Sequence, residues 1–148
     1  MTTTPLARRW TTFGPQFLCL LRVVAGAMFL LAGTSKLFAF PVGMPGGATA
    51  LFPSQIWIGA VLEVIGGGLI VVGLFTRPTA FVLSGEMAVA YFQFHAPQGF
   101  WPTVNGGVPA VLYCFLFLYL SAAGASAWNL DALWRRKSVT ATDFAENR

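Results

Sequence analysis

The chain has 148 residues, of which 56% are hydrophobic and 9% charged, with a formal net charge of +4 and a mean hydropathy of +0.69. Soluble domains carry roughly 25% charged residues, so this composition excludes an ordinary soluble enzyme, and it excludes disorder, which needs low hydrophobicity and high charge. Nucleic acid is not an expected partner, because the Lys and Arg residues are scattered between apolar segments and form no basic face. The expected partner is the lipid bilayer, where a chain of this length holds about four spanning helices.

The first apolar stretch runs from about Phe17 to Leu37. Arg8 and Arg9 ahead of it resemble the start of a signal peptide, but Arg22 interrupts the apolar run and no small-x-small cleavage site follows. The stretch is therefore read as a retained span. The segment from Phe38 to Gln55 contains Pro41, Pro45, Pro53, Gly43, Gly46 and Gly47, which exclude a regular helix. It has no charge, and Phe38, Phe40, Leu51 and Phe52 keep it at the membrane surface or folded back between helix ends.

A second span is predicted from about Ile56 to Phe75 and a third from about Thr79 to Phe94, joined by a tight link at Thr76-Arg77-Pro78. The link from His95 to Gly107 carries Pro97, Phe100, Trp101 and Pro102, a composition suited to the headgroup level. The fourth span is predicted from about Val108 to Ala125. None of these runs alternates with period two, which argues for helices and against a barrel. After them Trp128, Leu130, Leu133 and Trp134, with basic residues as far as Lys137, read as a short interfacial helix. The fold class is an all-α, four-helix transmembrane bundle: a tail over 1–16, a membrane domain over 17–131, and a basic, then polar tail over 132–148.

Four crossings put Arg8, Arg9, Arg77, Arg135, Arg136, Lys137 and Arg148 on one side. The positive-inside rule then makes both termini cytoplasmic.

Four charges fall within the spans: Arg22, Lys36, Glu63 and Glu86. Each costs at least roughly 2.5 to 3.5 kcal/mol near the bilayer centre, so such groups face the bundle interior and pair. Helical spacing puts Arg22, Gly26, Gly33 and Lys36 on one stripe, and Gly59, Glu63, Gly66 or Gly67, Ile70 and Gly73 on another. Glu86, Ala90 and Gln93 share a face of the third helix. By depth, Lys36 is expected to pair with Glu63, with Glu86 below and with His95 and Asn105 flanking the outer loop. Arg22 is expected to meet Asp131 near the inner leaflet. These groups either lock the helices in register or line a polar pocket for a small polar or quinone-like ligand or for proton relay.

His95 has no second His and no carboxylate-rich run beside it, so a metal site is not expected. Cys19 and Cys114 differ in depth by about 18 Å at 1.5 Å per residue, beyond the reach of a disulfide. The catalytic residues are unassigned by this reading.

Taken together, Arg22-x3-Gly26-x6-Gly33-x2-Lys36, Met44-Pro45-Gly46-Gly47, Glu63-x2-Gly66-Gly67, Gly73-Leu74-Phe75-Thr76-Arg77, Gly85-Glu86-Met87-Ala88, Ala90-Tyr91-Phe92 and Asn105-Gly106-Gly107 resemble the DoxX family of bacterial membrane proteins. The resemblance spans about Phe17 to Asp131. It implies a four-helix inner-membrane protein, and members are linked to thiosulfate:quinone oxidoreductase and to thiol-stress complexes. Where the family commonly has Asn-Gly-Gly-Glu, this chain has Val108 after Gly107. The expectation is an accessory subunit that binds a quinone or an oxidoreductase partner. The alternatives are a small-solute or proton-coupled permease, which would need a homo-oligomer, and a structural scaffold.

Overall fold

The computed structural model describes residues 5–132, with side chains from Thr12 onward. Helix α1 (Pro5–Phe38) begins before the predicted start at Phe17 and runs through Pro15. Helix α2 (Gln55–Val72) is capped by the Ser54 hydroxyl, which accepts from the Trp57 amide at 3.2 Å. Helix α3 (Thr76–Ala90) widens into a π turn over Tyr91–His95. A single turn, α4 (Pro102–Asn105), precedes α5 (Val108–Ala123). The fold is the helical bundle expected from composition. Thr12–Phe38 and Gln55–Val72 are each long and apolar enough to cross a membrane, and Val108–Ala123 is a shorter apolar helix. The helical run over 76–95 reaches about 30 Å.

Side-chain size sets how closely neighbours approach. Gly26 lies against Gly67 and Val71, and Gly33 against Ala60 and Val64, so α1 and α2 run antiparallel with backbones in contact. Ser84 Oγ donates to the Cys114 carbonyl at 2.8 Å while Tyr91 abuts Gly107, which makes α3 and α5 a second antiparallel pair. Phe29 of α1 meets Phe117 of α5 edge-on at 4.9 Å between ring centres. Ile70, Leu83 and Leu120 complete the buried core around Phe29 and Phe117.

The up-down order puts Pro15, Gly73, Thr76 and Ser126 at one end, where Ser126 Oγ donates to the Pro15 carbonyl at 2.7 Å. This is called the terminal end; Lys36, Gln55 and His95 lie at the opposite, loop end. Gly73 ends α2 with φ of 70°, a left-handed conformation that glycine adopts without steric penalty. The 39–54 connection contains a 3-10 turn (Pro45–Gly47) closed by an antiparallel bridge between Met44 and Ala48, and the Ala50 amide donates back to the Lys36 carbonyl at 2.7 Å. The segment is thereby folded back onto the end of α1, one of the two courses expected of it. Of the expected interfacial helix, residues 130–132 are helical, whereas Trp128, with φ of 48°, and Asn129 are not; the part beyond residue 132 and the polar tail lie outside the described residues.

A Cβ added at Gly67 meets the Leu30 nitrogen at 2.7 Å, whereas one added at Gly68 meets nothing within 4 Å. Gly67→Ala is expected to cost about 1 to 3 kcal/mol, and Gly68→Ala to cost nothing; thermal unfolding of the detergent-solubilised protein measures both.

Candidate functional site

A cavity of about 570 Å³ opens at the loop end, between α2 and α3. Lys36 reaches it from α1, Glu63 from α2, Glu86 from α3 and His95 from the π turn. Lys36 Nζ donates to Glu63 Oε1 at 2.5 Å, and the Glu63 side chain is only 3% exposed. The other Glu63 oxygen, Oε2, is buried without a hydrogen-bond partner among the described residues, and so is Glu86 Oε2. A buried acceptor left unsatisfied costs roughly 1 to 3 kcal/mol, more when it is charged. The polar end of the cavity therefore presents unspent hydrogen-bonding capacity.

Gly59 makes room for this arrangement. One turn before Glu63, it faces α3, and a Cβ there would sit 3.1 Å from Glu86 Oε1. At the mouth the Gln55 amide donates to Gln93 Oε1, tying α2 to the end of the α3 run. The loop contributes Met44 to the lining. Gln93, placed by spacing on the face of Glu86, holds the mouth from outside the lining. The π turn inserts an extra residue per turn, which carries Phe94 and His95 round to the cavity face.

His95 Nδ1 lies 3.1 Å from the Asn105 carbonyl, which can only accept, so Nδ1 carries a hydrogen and the neutral ring offers Nε2 as an acceptor. Asn105 itself is off the cavity. Its side chain donates to the Gly99 carbonyl at 2.6 Å and accepts from the Gly107 amide at 2.8 Å, folding the loop that holds His95. Val108 opens α5 beside that loop and is not among the lining residues.

In place of the expected Arg22–Asp131 ion pair, each charge meets backbone. Arg22, 1% exposed, donates from Nη1 to the Ile70 and Val71 carbonyls at 2.6 and 2.9 Å and from Nη2 to the Trp128 carbonyl at 2.9 Å. Asp131 accepts from the Phe75 and Thr76 amides at 2.8 and 3.2 Å. The physical reason is the helix dipole: a C-terminus offers negative carbonyls to the cation and an N-terminus offers amides to the carboxylate. The two residues straddle Gly73, whose carbonyl accepts from the Asp131 amide at 3.1 Å. Sequence spacing revealed that Arg22 is buried; it carried no signal that its acceptors would be carbonyls. Cys19 and Cys114 are free thiols, the first beside Arg22 and the second beside Ser84.

Comparison with known proteins fits this architecture. The DoxX family model matches residues 17–96. The chain belongs to the DoxX family. An uncharacterized protein of Haemophilus influenzae is 45% identical to this DoxX protein over 128 residues, 84% of this chain and 96% of the relative. No solved structure gives a significant match. Family and apolar helices together make this a membrane protein whose surroundings are the lipid bilayer.

Removing one member of a buried ion pair strands the other, at a cost of about 3 to 5 kcal/mol, whereas replacing both by apolar groups is close to neutral. Lys36→Met alone is therefore expected to destabilise the DoxX protein strongly, and Lys36→Met with Glu63→Leu to recover most of the loss, as read by thermal unfolding in detergent.

Proposed function

We propose that the protein is an accessory subunit of a quinone-linked redox system in the bacterial inner membrane, and that its loop-end cavity binds the polar head of a quinone-class lipophile. The observation that carries this reading is the meeting of the Lys36–Glu63 pair, Glu86 and His95 with an apolar wall in one cavity. Its volume of about 570 Å³ falls within the roughly 300 to 1,000 Å³ of small-molecule sites, which combine apolar walls with a few convergent polar groups.

Each polar group has a role that matches such a head. Lys36 is held by Glu63 and has two further N–H groups to donate to a ring carbonyl. Glu86 Oε2 accepts from a ring hydroxyl or holds a proton beside it. His95, oriented through Asn105, presents an acceptor nitrogen. A bound quinone supplies two-electron, two-proton chemistry; the protein's residues handle binding and proton placement. Electron supply is assigned to a partner oxidoreductase, because the two thiols are on separate helices, beside different neighbours.

Binding of a short-chain ubiquinone analogue to the protein in lipid nanodiscs tests the reading. Saturable binding is expected, weakened about tenfold or more by Glu86→Ala, a loss of about 1.4 kcal/mol. Wild-type protein that binds no quinone overturns the proposal.

The proposed orientation has both termini in the cytosol. Its support is that Arg77 shares the terminal end with the segments bearing Arg8 and Arg9 and leading to Arg135, Arg136, Lys137 and Arg148. Reporter enzymes fused before Met1 and after Arg148 are both expected to report the cytosol; signals from opposite faces refute this orientation.

A further inference from the structure

Quinones, phospholipids and other amphiphiles share one design, a polar head on an apolar tail, and the cavity lining holds both kinds of group. Glu63, Glu86 and His95 supply its acidic groups and imidazole. Ile58 and Leu62 of α2 and Val82 and Val89 of α3 form the remainder of the wall that matters here. These four side chains also face outward: Ile58 is 52% exposed, Leu62 37%, Val82 51% and Val89 47%. The same groups thus border the cavity and the outside of the bundle, which in a membrane protein is acyl chain. Val82 to Val89 covers about 10 Å along α3.

The seam between α2 and α3 is also joined more loosely than the α1–α2 and α3–α5 pairs. Glycines bring the α1 and α2 backbones together, and α3 binds α5 through the Ser84 hydrogen bond and the Tyr91–Gly107 contact. Across the seam, by contrast, the contacts are made by side-chain tips: Leu83 on Gly66, Glu86 on Gly59, and Gln55 with Gln93. Gln55 and Gln93 bridge the mouth on the loop side, and Met44 of the folded-back loop adds to the lining there. A water-borne ligand would meet these groups, while a lipid-borne one meets only aliphatic side chains.

We propose that the cavity is filled sideways from the bilayer: its occupant is a single-headed amphiphile whose head lies against Glu86 and whose tail leaves through the α2–α3 seam, between Ile58 and Leu62 on one side and Val82 and Val89 on the other. The identity of the head rests on the quinone reading; the route does not. Gly59 keeps the polar end open for that head, since a side chain there would displace the Glu86 carboxylate.

Photolabelling in nanodiscs tests the route. Two probes carry a diazirine on the apolar chain, one a tailed ubiquinone analogue and the other a phosphatidylcholine. Labelling by the quinone probe is expected at Ile58, Leu62, Val82 and Val89, and to be competed by unlabelled tailed quinone. Binding assays add the second arm: Val82→Trp is expected to weaken the tailed analogue about tenfold while leaving a tailless analogue with the same head within about twofold. Labelling by both probes confined to the 39–54 loop, or to α1 and α5, overturns the sideways route. Failure of tailed and tailless quinones to bind overturns the quinone reading; the route is then kept by labelling of Glu86 from a phospholipid with its diazirine on the headgroup, and overturned when that probe leaves Glu86 unlabelled.

Discussion

A cation within an apolar bundle has to be met by oxygen, and α1 carries two, the buried Arg22 and the half-buried Lys36, about four helical turns apart. Both are met by α2. Lys36 takes the Glu63 carboxylate at the loop end, and Arg22 takes the Ile70 and Val71 carbonyls at the terminal end. Between these two anchors Gly26, Gly33 and Gly67 let the backbones touch, and any slip of one helix along the other would break both anchors together. The register of α1 on α2 is thus over-determined, and the second pair of helices is assembled against a fixed frame.

That frame explains the position of the cavity. Glu63 is pinned by Lys36 and cannot swing toward α3, and Gly59 offers α3 no side chain to pack on, so Glu86 fills the space with a carboxylate instead of a hydrocarbon. Two acidic groups and one ammonium then share a pocket walled by aliphatic residues. Close packing elsewhere comes from glycine and aromatic contacts; here it gives way to a cavity.

Much of this was legible in the residues. The spans followed from continuous apolar runs punctuated by Pro and Gly, and the Lys36–Glu63 pair followed from depth alone, because only one acid on α2 lies at the level of Lys36. Two features were not legible. Periodicity assumes a regular helix, so it put Gln93 on the face of Glu86 and gave no warning of the π turn that carries Phe94 and His95 to the cavity. Pairing by charge assumes that an acid is the natural partner of a base, so it joined Arg22 to Asp131. Near helix ends the backbone competes with side chains, and there it prevailed. Asn105 was drawn toward the site by its place in the sequence, yet its contribution reaches the cavity only through the His95 ring that its carbonyl holds.

The way Asp131 and Trp128 are used has a bearing on biogenesis. A ribosome makes α1, α2 and α3 first, yet the carboxylate that closes the start of α3 and one of the carbonyls that satisfies Arg22 belong to the segment after α5. Until that stretch arrives, the inserted helices retain bare amides and an incompletely solvated guanidinium at the same level. The segment after α5 is therefore the piece that closes the terminal end of the bundle, supplying an oxygen to α1 and a carboxylate to the start of α3.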